Sequence, residues 1–234
     1  MDVDLIGKFV TYLVPMLLSL TIHEYSHALA AWWLGDDTAS MQGRMTLNPI
    51  AHVDPIGTLL VPAIGIFSGF PFFGWAKPVP TNPVRYTRVF FGKRISMTAG
   101  MAVVAAAGPA SNLVFAFVTA GALGIAVHIV PPAEQLEGLY ALGVRLMAVN
   151  VGLCVFNLLP VPPLDGSRIL YWLLPERHKP IMDTLARNTP IVFLGLILLM
   201  NTSIFYTIIG RPFVAILQVL ASLFGLYELF HYLR

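Results

Sequence analysis

Residues Phe9–Leu34 read FVTYLVPMLLSLTIHEYSHALAAWWL, with Glu24 as the single formal charge. The run is long enough to cross the ~30 Å hydrocarbon core of a bilayer as a helix. Within it, His23 and His27 are four residues apart and therefore share one helix face, one turn from each other. Glu24 adjoins the first histidine and completes an H-E-x-x-H arrangement, in which two imidazoles grip one metal ion and the glutamate serves as general base. A charged group inside a span costs about 2.5–3.5 kcal/mol on insertion scales, so it is rarely kept without a partner or a task. Metal binding supplies that task, because a cation stabilises neutral imidazoles and compensates a nearby carboxylate.

Working outward, similar apolar runs recur at Ile95–Val130, Gly138–Leu159 and Ile191–Ile209, with Phe213–Leu229 as a further one. Ile56–Phe73 is apolar but short and broken by prolines and glycines, which suits a re-entrant or interfacial segment better than a full crossing. The whole chain is 57% hydrophobic and 11% charged, against about 25% charged in soluble domains. The expectation is an all-α membrane protein: a polytopic bundle of five to six apolar segments, forming one domain over residues 1–234. Its core lies at about 5–174 and its C-terminal helices at about 190–232. Turn chemistry at Gln42-Gly43 suggests a short hairpin over Thr38–Leu47, whose edge would pair with an extended substrate. Leu174–Asn188 reads as a surface helix or loop between spans.

A net charge of +2, spread over loops, leaves no nucleic-acid footprint. The lone Cys154 rules out an internal disulfide and a cysteine-based metal cluster. The first run carries His23, Glu24 and His27 where a signal peptide would carry a small-residue cleavage site, so it is expected to remain in the mature protein.

Catalytic zinc usually takes three protein ligands and keeps a fourth position for water, so the two histidines need a third group. The carboxylate in the most unusual setting is Asp165, at the end of Asn157-Leu158-Leu159-Pro160-Val161-Pro162-Pro163-Leu164-Asp165-Gly166. The prolines remove backbone donors and clash with the preceding turn, so the span starting at Gly138 must unwind there. Unwound backbone at membrane depth is tolerated where it is buried in protein or lines a wet cavity. Asn157 can donate amide hydrogens into the same cavity. A non-enzymatic alternative makes these ionisable groups an ion or proton pathway in a transporter.

H-E-Y-S-H in one span with N-L-L-P-V-P-P-L-D-G in a later one resembles the site-2 protease family of intramembrane zinc metalloproteases. Gly108-Pro109-Ala110-Ser111-Asn112 matches a Gly-Pro-x-x-Asn element of that family, and Gly43–Thr58 resembles a compact prokaryotic branch without a PDZ domain. The resemblance implies one Zn2+ per chain held by His23, His27 and Asp165. It implies that Glu24 acts on water and that Asn157 orients or stabilises the reacting carbonyl. It further implies a transmembrane protein substrate, cut within or beside the bilayer of a prokaryotic cell membrane. His52 and Asp54 are read as structural loop residues.

The loops fix an expected orientation. Phe73–Arg94 carries Lys77, Arg85, Arg88, Lys93 and Arg94, and Arg168–Arg187 carries four more basic residues, whereas Pro131–Glu137 has only acids; basic loops mark the cytoplasmic side. For His27 and Asp165 to share a metal, the first run must then end in the cytoplasm, with Met1 outside.

Overall fold

The computed structural model describes residues 3–68, 74–90, 92–129, 137–200 and 202–233. It is mostly helical. Helix α1 spans Val3–Trp33, α2 Thr38–Met41, α3 Val61–Ser68, α4 Met97–Ile129, α5 Glu137–Asn157, α6 Asp165–Leu173, α7 Lys179–Arg187 and α8 Thr189–Leu199. A continuous α9 follows over Ser203–Phe224. Among the described residues α4, α5 and α9 are long and apolar enough to cross a membrane, and α7 with α8 adds a fourth if that pair, bent by 82°, is one span. The outer faces of α4 and α9 expose Val114, Phe117, Val118, Ile125, Val219 and Leu223, the surface that lipid would cover.

Helix α4 is the centre of the bundle, packing on α5, α1 and α6. Ala116, Ala120 and Leu123 of α4 meet Tyr140, Val144, Met147 and Val151 of α5 and Leu217, Leu220 and Ala221 of α9 in one apolar cluster. The alanines let the backbones approach closely, which is how helices associate where lipid removes the hydrophobic drive. Across the α1–α5 seam, Arg145 stacks on the Tyr12 ring with 4.6 Å between guanidinium carbon and ring centre.

The C-terminal apolar runs divide differently from the expectation. The run 191–209 is interrupted after Leu199, because Thr202 caps a new helix by accepting the Phe205 N–H at its hydroxyl. The expected runs 191–209 and 213–229 are joined instead: a π-helical turn at Tyr206–Gly210 carries one helix through to Phe224, absorbing the donor that Pro212 lacks. Pro55–Leu60 and α3 form a short apolar helix over the described part of the 56–73 segment, whose residues 69–73 lie outside the described residues.

The hairpin expected at Thr38–Leu47 is not there. Asp36 accepts hydrogen bonds from the Thr38 N–H and hydroxyl, which starts the α2 turn, and Gly43 at φ +65° follows it. The two-stranded antiparallel pair lies instead at Val89–Phe90 and Lys93–Arg94. As expected, 174–188 forms a surface connector, built of a 3-10 turn and α7.

Residues 74–88 form a strap over the C-terminal half of α1. Trp75 N–H donates to Gly57 O, Lys77 N–H to His52 O, Asn82 N–H to the buried carboxylate of Asp36, and Thr87 N–H to Leu34 O. Tyr86 is buried against Gly100. Its burial, and next the charge of Asp36, push the phenol pKa up to about 12, so it stays neutral at physiological pH.

Candidate metal centre

The helical pitch alone puts His23 and His27 on one face of α1; their orientation comes from α4. His23 Nδ1 lies 2.6 Å from Asn112 Oδ1 and His27 Nδ1 lies 2.7 Å from Val104 O. A carbonyl oxygen only accepts, so His27 must donate from Nδ1, and in the neutral imidazole its Nε2 carries the lone pair. Asn112 oxygen imposes the same tautomer on His23. The two Nε2 atoms therefore face each other 3.0 Å apart.

The proline segment delivers the third group. After Asn157 the α5 ladder ends, and Leu159 N–H→Phe156 O, Val161 N–H→Leu159 O and Leu164 N–H→Val161 O close tight turns until α6 begins at Asp165. A side chain at Gly166 would collide with Leu158 O, so only glycine lets the chain fold back this closely after the aspartate. Asp165 Oδ2 sits 3.1 Å from His23 Nε2 and 3.3 Å from His27 Nε2, yet is buried with no hydrogen-bond partner.

With both imidazoles neutral, three acceptor atoms converge with no donor among them, an arrangement that is repulsive unless a cation lies between. Separations of 3.0–3.3 Å match the roughly 3.3 Å edge of a tetrahedron with bonds of about 2.05 Å to nitrogen and oxygen. The donor set of two neutral imidazoles and a carboxylate fits zinc. Gly108 makes room for it: a Cβ there would come within 2.5 Å of His27 Nε2 and 2.6 Å of His23 Cε1.

The five residues singled out from the sequence line one cleft of about 510 Å³ between α1, α4, α5, α6, α8 and the strap. Glu24 is buried beside the histidines and accepts the Val79 N–H at Oε2, 2.7 Å away. Asn157 lines the cleft, with its Nδ2 donating to Leu153 O one turn back. His52 and Asp54 stand apart in loop roles: His52 Nε2 contacts Thr46 O, and Asp54 caps the turn after it by accepting from Ile56 and Gly57 N–H. The Val79 contact and the polar residues Ser19 and Asn150 behind His23 escaped the sequence reading. Asn150 had a signal: it is an amide inside an apolar run, seven residues and so two turns before Asn157.

Residues 125–201, which include Asn157 and Asp165, match the profile of Peptidase family M50. YwhC of Bacillus subtilis, named as a candidate zinc metalloprotease, is 40% identical over 190 residues, covering 78% of this chain and 78% of its own length. Two proteins named Rip2, with the same designation, are also similar. That of Mycolicibacterium smegmatis is 34% identical over 181 residues, 75% of this chain and 62% of its own. That of Mycobacterium tuberculosis H37Rv is 30% identical over 198 residues, 84% of this chain and 69% of its own. No solved structure matches. By the identity and coverage of these relatives, the chain belongs to peptidase family M50.

Proposed function

We propose that this peptidase is an intramembrane zinc metalloprotease, acting as one domain over residues 1–234, that hydrolyses peptide bonds of transmembrane proteins within or beside the bilayer. The observation that carries the reading is the convergence of His23, His27 and Asp165 beside Glu24 in a cleft between apolar helices. His23, His27 and Asp165 would hold the ion. Bound zinc supplies Lewis acidity, which makes water nucleophilic near neutral pH and polarises a carbonyl oxygen. Glu24 takes the proton of the attacking water and passes it to the leaving nitrogen. The Val79 N–H holds one Glu24 oxygen, which orients the other towards the cleft. Asn157 has two amide hydrogens; one goes to Leu153 O, and the other serves the developing oxyanion.

The test separates chemistry from metal binding. Glu24→Gln keeps the ligands and removes the proton acceptor, so zinc content should stay at one ion per chain while cleavage of a single-span substrate is abolished. Retained cleavage rules the assignment out.

The site is assigned to the cytoplasmic side, with Met1 outside, on the strength of the basic loops around 77–94 and 168–187. Single cysteines at Asp2, Gln42 and Thr81, in a Cys154→Ser background, are to be labelled on intact cells with an impermeant thiol reagent. Labelling at position 2 alone is expected; labelling at 42 without 2 inverts the orientation.

A further inference from the structure

Behind the candidate zinc ligands, the polar groups of three helices close into one network from which solvent is excluded. Ser19, Asn112 and Asn150 are each 0% exposed. Their donors and acceptors can be assigned in only one direction. Ser19 Oγ donates to Pro15 O at 2.6 Å, so towards Asn150 it can only accept. Asn150 Nδ2 supplies both that bond, at 2.8 Å, and one to Leu146 O, also at 2.8 Å. Both partners are acceptors, so the NH2 end of Asn150 is fixed on them and its Oδ1 must face Asn112, at 2.7 Å. Asn112 Nδ2 is then committed in turn, donating to Asn150 Oδ1 and, at 3.1 Å, to Ser19 O. Only Asn112 Oδ1 remains to meet His23 Nδ1.

The two histidines are thus oriented by different means. His27 faces a backbone carbonyl, which has no alternative orientation. His23 faces an amide, whose two ends are nearly the same shape. A flipped Asn112 would present NH2 to His23, select the tautomer protonated at Nε2, and so block the nitrogen that faces Asp165 and His27. In this surrounding the flip would also set Asn112 Oδ1 against Asn150 Oδ1 and Ser19 O, leaving acceptors opposed in a dry site, which is strongly disfavoured.

We infer that Asn150, acting through Asn112, is a positioning residue that fixes the tautomer of His23 and thereby sets the zinc affinity of the site. The inference rests on the proposal that His23 is a zinc ligand. Asn150 lies on α5, away from the cleft, and touches neither the metal position nor substrate space.

The test measures zinc dissociation by chelator competition on the purified full-length chain in detergent. Asn150→Leu, which keeps the branched shape but has no polar end, is expected to weaken zinc about tenfold, within the 10–100-fold range of partners that hydrogen-bond a ligand. Asn150→Ala makes the same deletion with less bulk and should match it, which keeps the test decisive if the leucine does not pack. Asn150→Asp preserves an acceptor towards Asn112 in either protonation state and should restore affinity to within about twofold of the unmodified chain. A packing role would instead separate the leucine and alanine variants by their bulk, which the loss of a shared acceptor does not. Wild-type affinity in both Asn150→Leu and Asn150→Ala overturns the inference alone, as does an Asn150→Asp chain as weak as these. Absence of zinc from the unmodified chain overturns the metal reading, and this inference with it.

Discussion

On one face of α5, Tyr140, Val144, Met147 and Val151 pack against alanines of α4 and leucines of α9. On the other, Asn150 hydrogen-bonds Asn112 and Ser19 behind His23. Both seams are buried among apolar helices, but they hold the bundle together differently. The α4–α5–α9 seam is non-directional, so a side chain there can shift by a fraction of an ångström and lose little. The α1–α4–α5 seam is made of paired donors and acceptors, each with one permitted partner, so position and orientation are fixed together. A metal site, which requires ligand atoms placed to within a few tenths of an ångström, is built against the directional seam.

This contrast is most severely tested at the ligand itself. Asp165→Ala removes one of three candidate donors and should lower zinc affinity by more than the ~10–100-fold cost of a partner that hydrogen-bonds a ligand, with no detectable proteolysis. Zinc content and activity that survive the change would put the third ligand elsewhere. Asn157→Ala sharpens the distinction between holding the metal and using it. Zinc should stay bound while turnover falls by about 10²–10³, the usual cost of an oxyanion donor; equal loss of zinc would make Asn157 part of the metal's support. The smallest effect is expected in the apolar seam. Met147→Ala should lower unfolding stability by about 2 kcal/mol, the low end for methionine truncation, because lipid supplies no hydrophobic drive between helices. Zinc occupancy should be unchanged. A thermal melt followed by metal analysis reads both, and zinc loss there would mean that the two seams are coupled.

The sequence by itself determined the parts of this protein that depend on neighbours along the chain. His23 and His27 share a face because the helix repeats every ~3.6 residues, and Pro160, Pro162 and Pro163 end α5 because a proline has no N–H to donate. Those local rules located the candidate ligands, the candidate general base and the broken helix, and they anticipated the connector at 174–188. They failed where local signals competed. Turn chemistry at Gln42-Gly43 suggested a hairpin, but the Asp36 carboxylate made a helical turn there. Likewise the runs 191–209 and 213–229 read as separate, and a π-helical turn at Tyr206–Gly210 joined them. Tertiary structure alone decided which oxygen orients each imidazole, that Val79 meets Glu24, and that Ser19, Asn112 and Asn150 close a ring. Those partners lie 38 to 131 residues apart in sequence. Their pairing depends on how closely α1, α4 and α5 approach; between α1 and α4 that approach needs glycine at 108, where a Cβ would meet both histidine rings, a contact no local periodicity records.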